Sequence, residues 1–361
     1  MSFNSDARGS NRLQNAKNLK QLAEALGLSQ TTVSRALNGY PEVKEATRLR
    51  VRETARRLNY SPNARAQGLA TGRAMAIGHV IPVWSEHEMT NPIFGDFVAG
   101  ASSCYSKHGY DMVLTRIEVD DEENAYRQLV FSGRIDGIIV QGPRLRDSRI
   151  SLLKSLGVPF VVHGRSSGIE DNYNWVDVNN KRSFKRATEL LLDLGHRRIA
   201  LLNGLEYLDF ALRRRDGYME ALSERGIEPD LELMRSAEMT EHFGHRETRA
   251  MLQGTDPPTA VLASSKLSAM GVRRAIEERG LTMGHDVSVV THDDVISYLA
   301  DTDDVPVFTA TRSSVRDAGR LVAEMLMTIV KKPDVRPRNA LLETELVVGQ
   351  STGPCLSRRL G

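Results

Sequence analysis

Leu28-Ser29-Gln30-Thr31-Thr32-Val33-Ser34-Arg35-Ala36-Leu37-Asn38-Gly39 is the stretch that decides how the N-terminal part of this chain is built. Ser29 is a residue type that caps helix N-termini. Val33, Ala36 and Leu37 behind it form a buried stripe at helical spacing, and Asn38-Gly39-Tyr40-Pro41 is turn chemistry that ends the helix. Upstream, Asn18 can cap a helix with Leu19, Leu22, Ala23 and Leu26 on one face, stopped by Gly27. Downstream, Thr47, Val51, Ala55 and Leu58 mark a third helix. The spacing Ala23, Gly27, Val33 is that of a helix-turn-helix. Ala23 is small where two helices nearly touch, Gly27 accepts a positive φ in the turn, and Val33 anchors the second helix inward. The outer face then presents Gln30, Thr31, Ser34 and Arg35, with Asn38 at its end. Gln can bond adenine in a bidentate way, Arg guanine, and a Thr methyl can meet a thymine methyl. A helical hairpin inside an ordinary core is the plain alternative.

Charge separates the two readings. The 361 residues carry 48 Lys and Arg against 46 Asp and Glu, a net of +2. Residues 1–72 alone hold 12 basic and 5 acidic residues, net +7, which leaves −5 on the rest. A basic head on a mildly acidic body is the electrostatic footprint of a nucleic-acid binder, although a basic terminus can also be a solubilising tail. The length suggests two or three domains. No apolar run reaches the ~18 residues of a membrane span. The polar stretch Met1 to Ala16 reads as disordered and has no secretory core. With only Cys104 and Cys355 there is no disulfide framework, and a reducing cytoplasm is expected.

Pro62 prevents direct continuation of the third helix, and Asn63 to Ala70 reads as a linker that orders on binding. From about Met75 the pattern changes. Apolar, β-branched runs appear at Ala76 to Val83, Asp111 to Thr115, Gly137 to Val140, Phe160 to His163 and Trp175 to Val178. They continue at Ile199 to Asn203, Ala260 to Ala263, Val287 to Thr291 and, last, Glu345 to Val348. Helical stretches between them often end in Gly, as at Gly109, Gly195, Gly226 and Gly280. Repeated strand, helix, Gly, strand marks parallel α/β units, in one large sheet or in two doubly wound subdomains. Ligands of such folds sit beyond the carboxyl ends of the strands.

At this point the sequence resembles the lactose/galactose repressor (LacI/GalR) family. The likeness is carried by Leu28 to Gly39, by Arg56-Arg57-Leu58-Asn59-Tyr60-Ser61-Pro62-Asn63, by Leu194-Gly195-His196-Arg197-Arg198-Ile199-Ala200, by Arg214-Arg215-Asp216-Gly217-Tyr218, and by Val287-Ser288-Val289-Val290 running to Asp293-Asp294. The resemblance implies a small all-α helix-turn-helix domain joined by a hinge to an α/β, periplasmic-binding-protein-like regulatory domain of two doubly wound subdomains. The expected division is a tail over 1–17, the DNA-binding domain over 18–60, a hinge over 61–73, an effector-binding and dimerisation domain over 74–350 and a tail over 351–361. It further implies a homodimer on a pseudo-palindromic operator, with Leu69 entering the minor groove as an apolar wedge and Ala66 beside it. Gly68 departs from the better helix formers usual in such a hinge. No heptad repeat follows the last strand, so a dimer rather than a tetramer is expected.

For the regulatory half, the resemblance places Arg214 and Asp293 on the family's effector-binding arginine and aspartate, a pair suited to a polyhydroxylated ligand. Gln141 and Arg165 end two predicted strands and map to the cleft. Ser265 takes the place of a polar residue that is often Asn, and Lys266 beside it replaces a commonly acidic one. Phe94, Trp84, Phe210 and Trp175 are the aromatic residues available to stack on a sugar ring. Adjacent carboxylates in His292-Asp293-Asp294 point to opposite sides of an extended segment, so no metal is read there, and no cofactor is expected. No GxGxxG, P-loop or GxSxG motif is present, so an enzyme is not expected. The expectation is a cytoplasmic transcriptional regulator, a repressor of sugar genes whose operator affinity is set by a small carbohydrate. The wording of Asn91 to Phe94, Pro159 to Arg165 and Trp175 to Asn180 is similar to regulators of α-glucoside uptake in proteobacteria. A non-sugar effector such as a nucleoside, an activator, a sugar-transport receptor and an α/β enzyme are the rival readings.

Overall fold

Local chemistry sets the first three helices: α1 (Leu19–Leu26), α2 (Gln30–Leu37) and α3 (Glu45–Arg57). In the computed structural model, which describes residues 16, 18–60, 72–82, 87, 90–117, 121–170, 172–300, 304–333 and 336–356, the Asn18 carboxamide oxygen accepts from the Gln21 N–H at 3.0 Å. The Ser29 hydroxyl accepts from the Thr32 N–H at 3.1 Å. Between them Gly27 ends α1 at a φ of 63°, a left-handed conformation that costs a glycine little. Leu22 and Val33 are wholly buried, with Ala23, Leu26, Ala36, Val51 and Ala55 completing a core of short side chains. Burying each of the two larger ones stabilises the head by roughly 1.5–3 kcal/mol.

The chain divides into two compact units, Met1–Met75 and Ala76–Gly361. The second unit runs β1 (Ala76–Pro82), α4 (Pro92–His108), β2 (Asp111–Ile117), α5 (Glu122–Phe131), β3 (Gly137–Gln141), α6 (Ser148–Leu156), β4 (Phe160–His163) and β5 (Trp175–Val178). It continues through α7 (Asn180–Asp193), β6 (Ile199–Asn203), α8 (Asp209–Glu224), β7 (Met234–Ser236), α9 (Glu241–Leu252), β8 (Ala260–Ala263), α10 (Lys266–Glu278), β9 (Ser288–Asp293) and β10 (Thr309–Arg312). It ends with α11 (Val315–Lys331), β11 (Asn339–Leu342) and β12 (Glu345–Val347).

The strands form two sheets, ordered β11-β5-β4-β3-β1-β2 and β12-β10-β9-β8-β6-β7. All neighbours are parallel except β12, which runs antiparallel to β10. The structure thus resolves the alternative left open by the strand count: there are two doubly wound subdomains, not one large sheet. Their central strands are covered on both faces, which is why they read as unbroken apolar runs. Ile138, Ile139 and Val140 are all fully buried, as are Ala260 to Ala263.

The chain passes between the subdomains three times, after β5, after β10 and after β11. The second passage lets α11 leave the second subdomain and pack on α4 of the first. The two helices approach so closely that a Cβ on Gly319 would lie 2.2 Å from the Phe97 carbonyl oxygen, and one on Gly100 1.9 Å from that of Arg316. Three strands lie outside the apolar-run reading: β7, β10 and β11. In β10 the inward residues Thr309 and Thr311 are buried but polar, so hydropathy does not mark them. The strand expected from Val287 instead spans Ser288–Asp293 and carries on to the edge of the cleft.

Candidate functional site

In the head, the residues expected to meet DNA share one face of α2. Gln30, Thr31, Arg35 and Asn38 are exposed and Ser34 is half-buried. At 3.6 residues per turn the five fall within an arc of about 140°. Arg35 Nη1 lies 3.8 Å from Glu42 Oε1, with both side chains about half exposed. Such a pair contributes little, so the guanidinium is available to a better acceptor. Asn38 Nδ2 approaches the Ser34 hydroxyl at 3.5 Å. Arg50 turns back to the Leu26 carbonyl at the end of α1, which fixes the turn before α2. Ala66 and Leu69, expected in the hinge, lie outside the described residues.

In the second unit, a cleft of about 500 Å³ opens between the two sheets. It is lined where strands end: Ile81 in β1, Gln141 at β3, His163 at β4, Asp177 and Val178 at β5, His292 and Asp294 at β9, Ser313 after β10. Both halves bring their carboxyl ends to one place, as doubly wound sheets do.

At the centre is Arg214 from α8, only 5% exposed. Its Nε donates to Asn180 Oδ1 at 2.8 Å and one Nη to the Ser264 carbonyl at 2.6 Å. Its guanidinium is flanked by the Phe184 and Phe210 rings at 5.0 and 4.9 Å. Burial lowers its pKa to about 10, against the pull of Asp294 and Asp177, so it stays charged at neutral pH. Burial raises Asp177 despite Arg165, whose Nε donates to it at 2.8 Å. Burial also works to raise Asp294, but His292 and Arg214 overcome it and hold that carboxyl below its ordinary value. Half-buried His163, stacked on Phe97 with ring centroids 4.5 Å apart, is pushed down to about 4 by desolvation. His292 is lowered as well, first by burial and then by Arg214. The site thus offers a cation, two carboxylates and two neutral imidazoles beside aromatic rings.

Of the six residues expected to hold an effector, the structure brings together Phe94, Gln141 and Arg214 as lining residues. Gln141 Nε2 is buried with no partner among the described residues. The other three stand behind the surface. Ser265 caps α10, its hydroxyl accepting from the Leu267 N–H, and is fully buried. Arg165 lies over the Trp175 ring at 4.9 Å and reaches the cleft only through Asp177. Asp293 faces away, within 3.4 Å of Arg312 and 3.8 Å of Lys266, and accepts from the Val295 N–H at 2.9 Å. The alternation of an extended strand gives the reason: His292 and Asp294 share the cleft face and Asp293 has the other. Phe210 lines the cleft; Trp175 sits in the core of the first sheet; Trp84 lies outside the described residues.

Sequence reading passed over Asp177, Asn180, His163, His292 and Asp294. The place of Asp177, within a strand that ends at the cleft, was a usable signal for it. Among the described residues no group of His, Cys, Asp or Glu is placed to hold a metal, and no helix is long and apolar enough to cross a membrane.

The subdomains are tied beside the cleft as well. The carboxylate of Asp209, fully buried at the start of α8, accepts from the Ser167 N–H and from Arg213 Nε. Arg213 also donates to the Ser167 hydroxyl at 2.8 Å, and the Asp209 N–H to the Pro143 carbonyl at 2.9 Å.

A helix-turn-helix with an exposed polar reading face, on the same chain as a two-subdomain body with a polar cleft, defines a single-chain transcriptional regulator. Comparison with known proteins agrees. Residues 18–63 match the model of the bacterial regulatory proteins of the lacI family, and residues 76–348 that of the periplasmic binding proteins and sugar binding domain of the LacI family. The chain belongs to the LacI family: it is a DNA-binding transcriptional regulator, not an enzyme. The HTH-type transcriptional regulator AglR of Rhizobium meliloti is 46% identical over 94% of this chain and 96% of its own. RafR of Escherichia coli, also an HTH-type transcriptional regulator, is 34% identical over 86% and 91%. Among solved structures, the lac repressor dimer bound to operator and the anti-inducer ONPF is similar with a TM-score of 0.77 at 28% identity, covering 93% of this chain and 99% of that one. A complex of the regulator CelR with cellobiose is similar with a TM-score of 0.68 at 27% identity, covering 93% and 100%.

Proposed function

We propose that the protein is a cytoplasmic repressor of sugar uptake and catabolism genes. It binds operator DNA as a homodimer through α2, and a small carbohydrate of the α-glucoside class in the cleft changes its operator affinity. The observation that carries this reading is Arg214, buried between two phenyl rings, with Asp177 from the first subdomain and Asp294 from the second lining the same cleft. A sugar ring presents hydroxyls that donate to carboxylates and accept from a guanidinium, and an apolar face that lies on an aromatic ring. The similar regulator solved with cellobiose supports a carbohydrate effector, and the likeness to AglR is what favours an α-glucoside. The likeness to the lac repressor dimer bound to operator supports the homodimer. Regulation follows from linkage: a ligand that prefers a cleft arrangement the DNA-bound dimer does not share lowers DNA affinity by its differential binding.

A thermal-shift screen of mono- and disaccharides tests the effector, since a ligand at 100 times its Kd stabilises by about 2.7 kcal/mol. Arg214→Ala should keep operator binding and lose the response to the sugar found. A normal calorimetric titration of that variant would overturn the assignment.

A further inference from the structure

The cleft is longer than one sugar ring needs. Along the second sheet it extends from Asp294, beyond β9, past Tyr207 and Phe210, beyond β6, to the residues that follow β7. In the order β9-β8-β6-β7 that is three strand spacings, roughly 14 Å at ~4.8 Å each. A pyranose with its hydroxyls spans only about 6–7 Å, at bond lengths of ~1.5 Å.

Polar groups line the cleft toward both of its ends. At the inner end are Asp177, Asn180, Arg214 and Asp294. At the outer end are His87 and Asn91, which follow β1, and Glu238, Thr240 and Glu241, which follow β7. Phe94, Tyr207 and Phe210 lie between. The outer group joins the two subdomains: His87 Nδ1 lies 3.2 Å from Glu238 Oε2. Asn91 uses its Oδ1 to accept from the Ile93 N–H, and its Nδ2 donates to none of the described residues.

We propose that the effector is a two-ring saccharide rather than a monosaccharide. One ring is held by Arg214, Asp177 and Asp294. The second lies at the outer end, its hydroxyls donating to Glu238 and Glu241 and accepting from Asn91, with the aromatic belt beneath the linkage. Hydroxyls that both donate and accept are the partner such a mixed set requires. This inference rests on the sugar-effector reading above.

Calorimetry on the full-length chain tests it, with maltose, trehalose, sucrose and cellobiose set against glucose and fructose. At least one disaccharide should bind ten times or more as tightly as either of its component monosaccharides. Glu238→Gln should reduce that ratio at least fivefold, while Arg214→Ala should abolish binding of both sizes. A monosaccharide binding within tenfold of every disaccharide, or a ratio unchanged in Glu238→Gln, overturns the outer site and leaves the sugar reading standing. No saccharide of either size binding or releasing operator DNA overturns the sugar reading itself, and the two-ring inference with it.

Discussion

Two neighbouring carboxylates do different work. Asp294 looks into the cleft, while Asp293 accepts from the Val295 N–H and so fixes the turn that presents it. Val295 has a φ of 54°, a left-handed conformation that a β-branched residue rarely adopts. Such a residue costs of order 1–3 kcal/mol and persists only where its surroundings enforce it; Asp293, with Arg312 and Lys266 nearby, provides that enforcement. Asp294→Asn should therefore weaken effector binding in a protein of normal stability. Asp293→Asn should lower the unfolding midpoint in urea. Equal loss of effector affinity in the two variants, with stability unchanged in both, would contradict this division. On α2, Arg35→Ala should lose about 1–3 kcal/mol of operator binding and relax discrimination at one base pair. Equal loss on random DNA, measured by fluorescence anisotropy, would make Arg35 a phosphate contact instead.

At the scale of elements, the contact of α4 with α11 is the most exacting. Gly319 meets the Phe97 carbonyl and Gly100 that of Arg316, so no side chain fits between the helix backbones. Gly319→Ala should force the helices apart and destabilise the second unit by about 1–3 kcal/mol; an unchanged denaturation midpoint would show that the helices can separate freely. Elements were legible in the sequence to the extent that they bury apolar side chains. Ile138 to Val140 and Ala260 to Ala263 announced their strands, and Ser29 and Gly27 announced the helix-turn-helix, because capping and positive φ leave chemical marks. The strand β10 left no such mark: its Thr309 hydroxyl lies 2.7 Å from that of Thr352, and its Thr311 hydroxyl 3.2 Å from His292 Nδ1, so its interior is polar but satisfied. The edge strand β11 alternates exposed and half-buried residues. The cleft was legible at Arg214, Phe94 and Gln141. Asn180 was hidden because a polar residue where a strand passes into a helix looks like any cap. Asp294 was hidden because choosing between adjacent carboxylates requires knowing which face of β9 meets the cleft.

For the second unit as a whole, buried histidines set an acid limit. His79 is 1% exposed, with Nε2 3.0 Å from the Tyr105 hydroxyl, and burial lowers its pKa to about 4. The unfolded chain takes up a proton there as pH falls below ~6.5, while the folded chain does not until about 4. The unfolded state thus binds more protons across that window, and stability falls as pH falls. The loss reaches about 2 kcal/mol for His79 between pH 6.5 and 5, with His163 acting in the same direction. Urea unfolding at pH 7 and pH 5 checks this, and a flat response would contradict it.

The three passages of the chain between subdomains also set an order of events during synthesis. Helix α11 covers β3, β4 and β5 of the first sheet, and β11 forms its edge beside β5. Both are encoded after the entire second sheet except β12. On the ribosome, at ~5–20 residues per second, the first sheet waits on the order of ten seconds after Val178 emerges for its cover to arrive. Through that interval its apolar face is open to a chaperone or to another nascent chain, so residues 315–342, near the end of the chain, decide whether the first subdomain is completed.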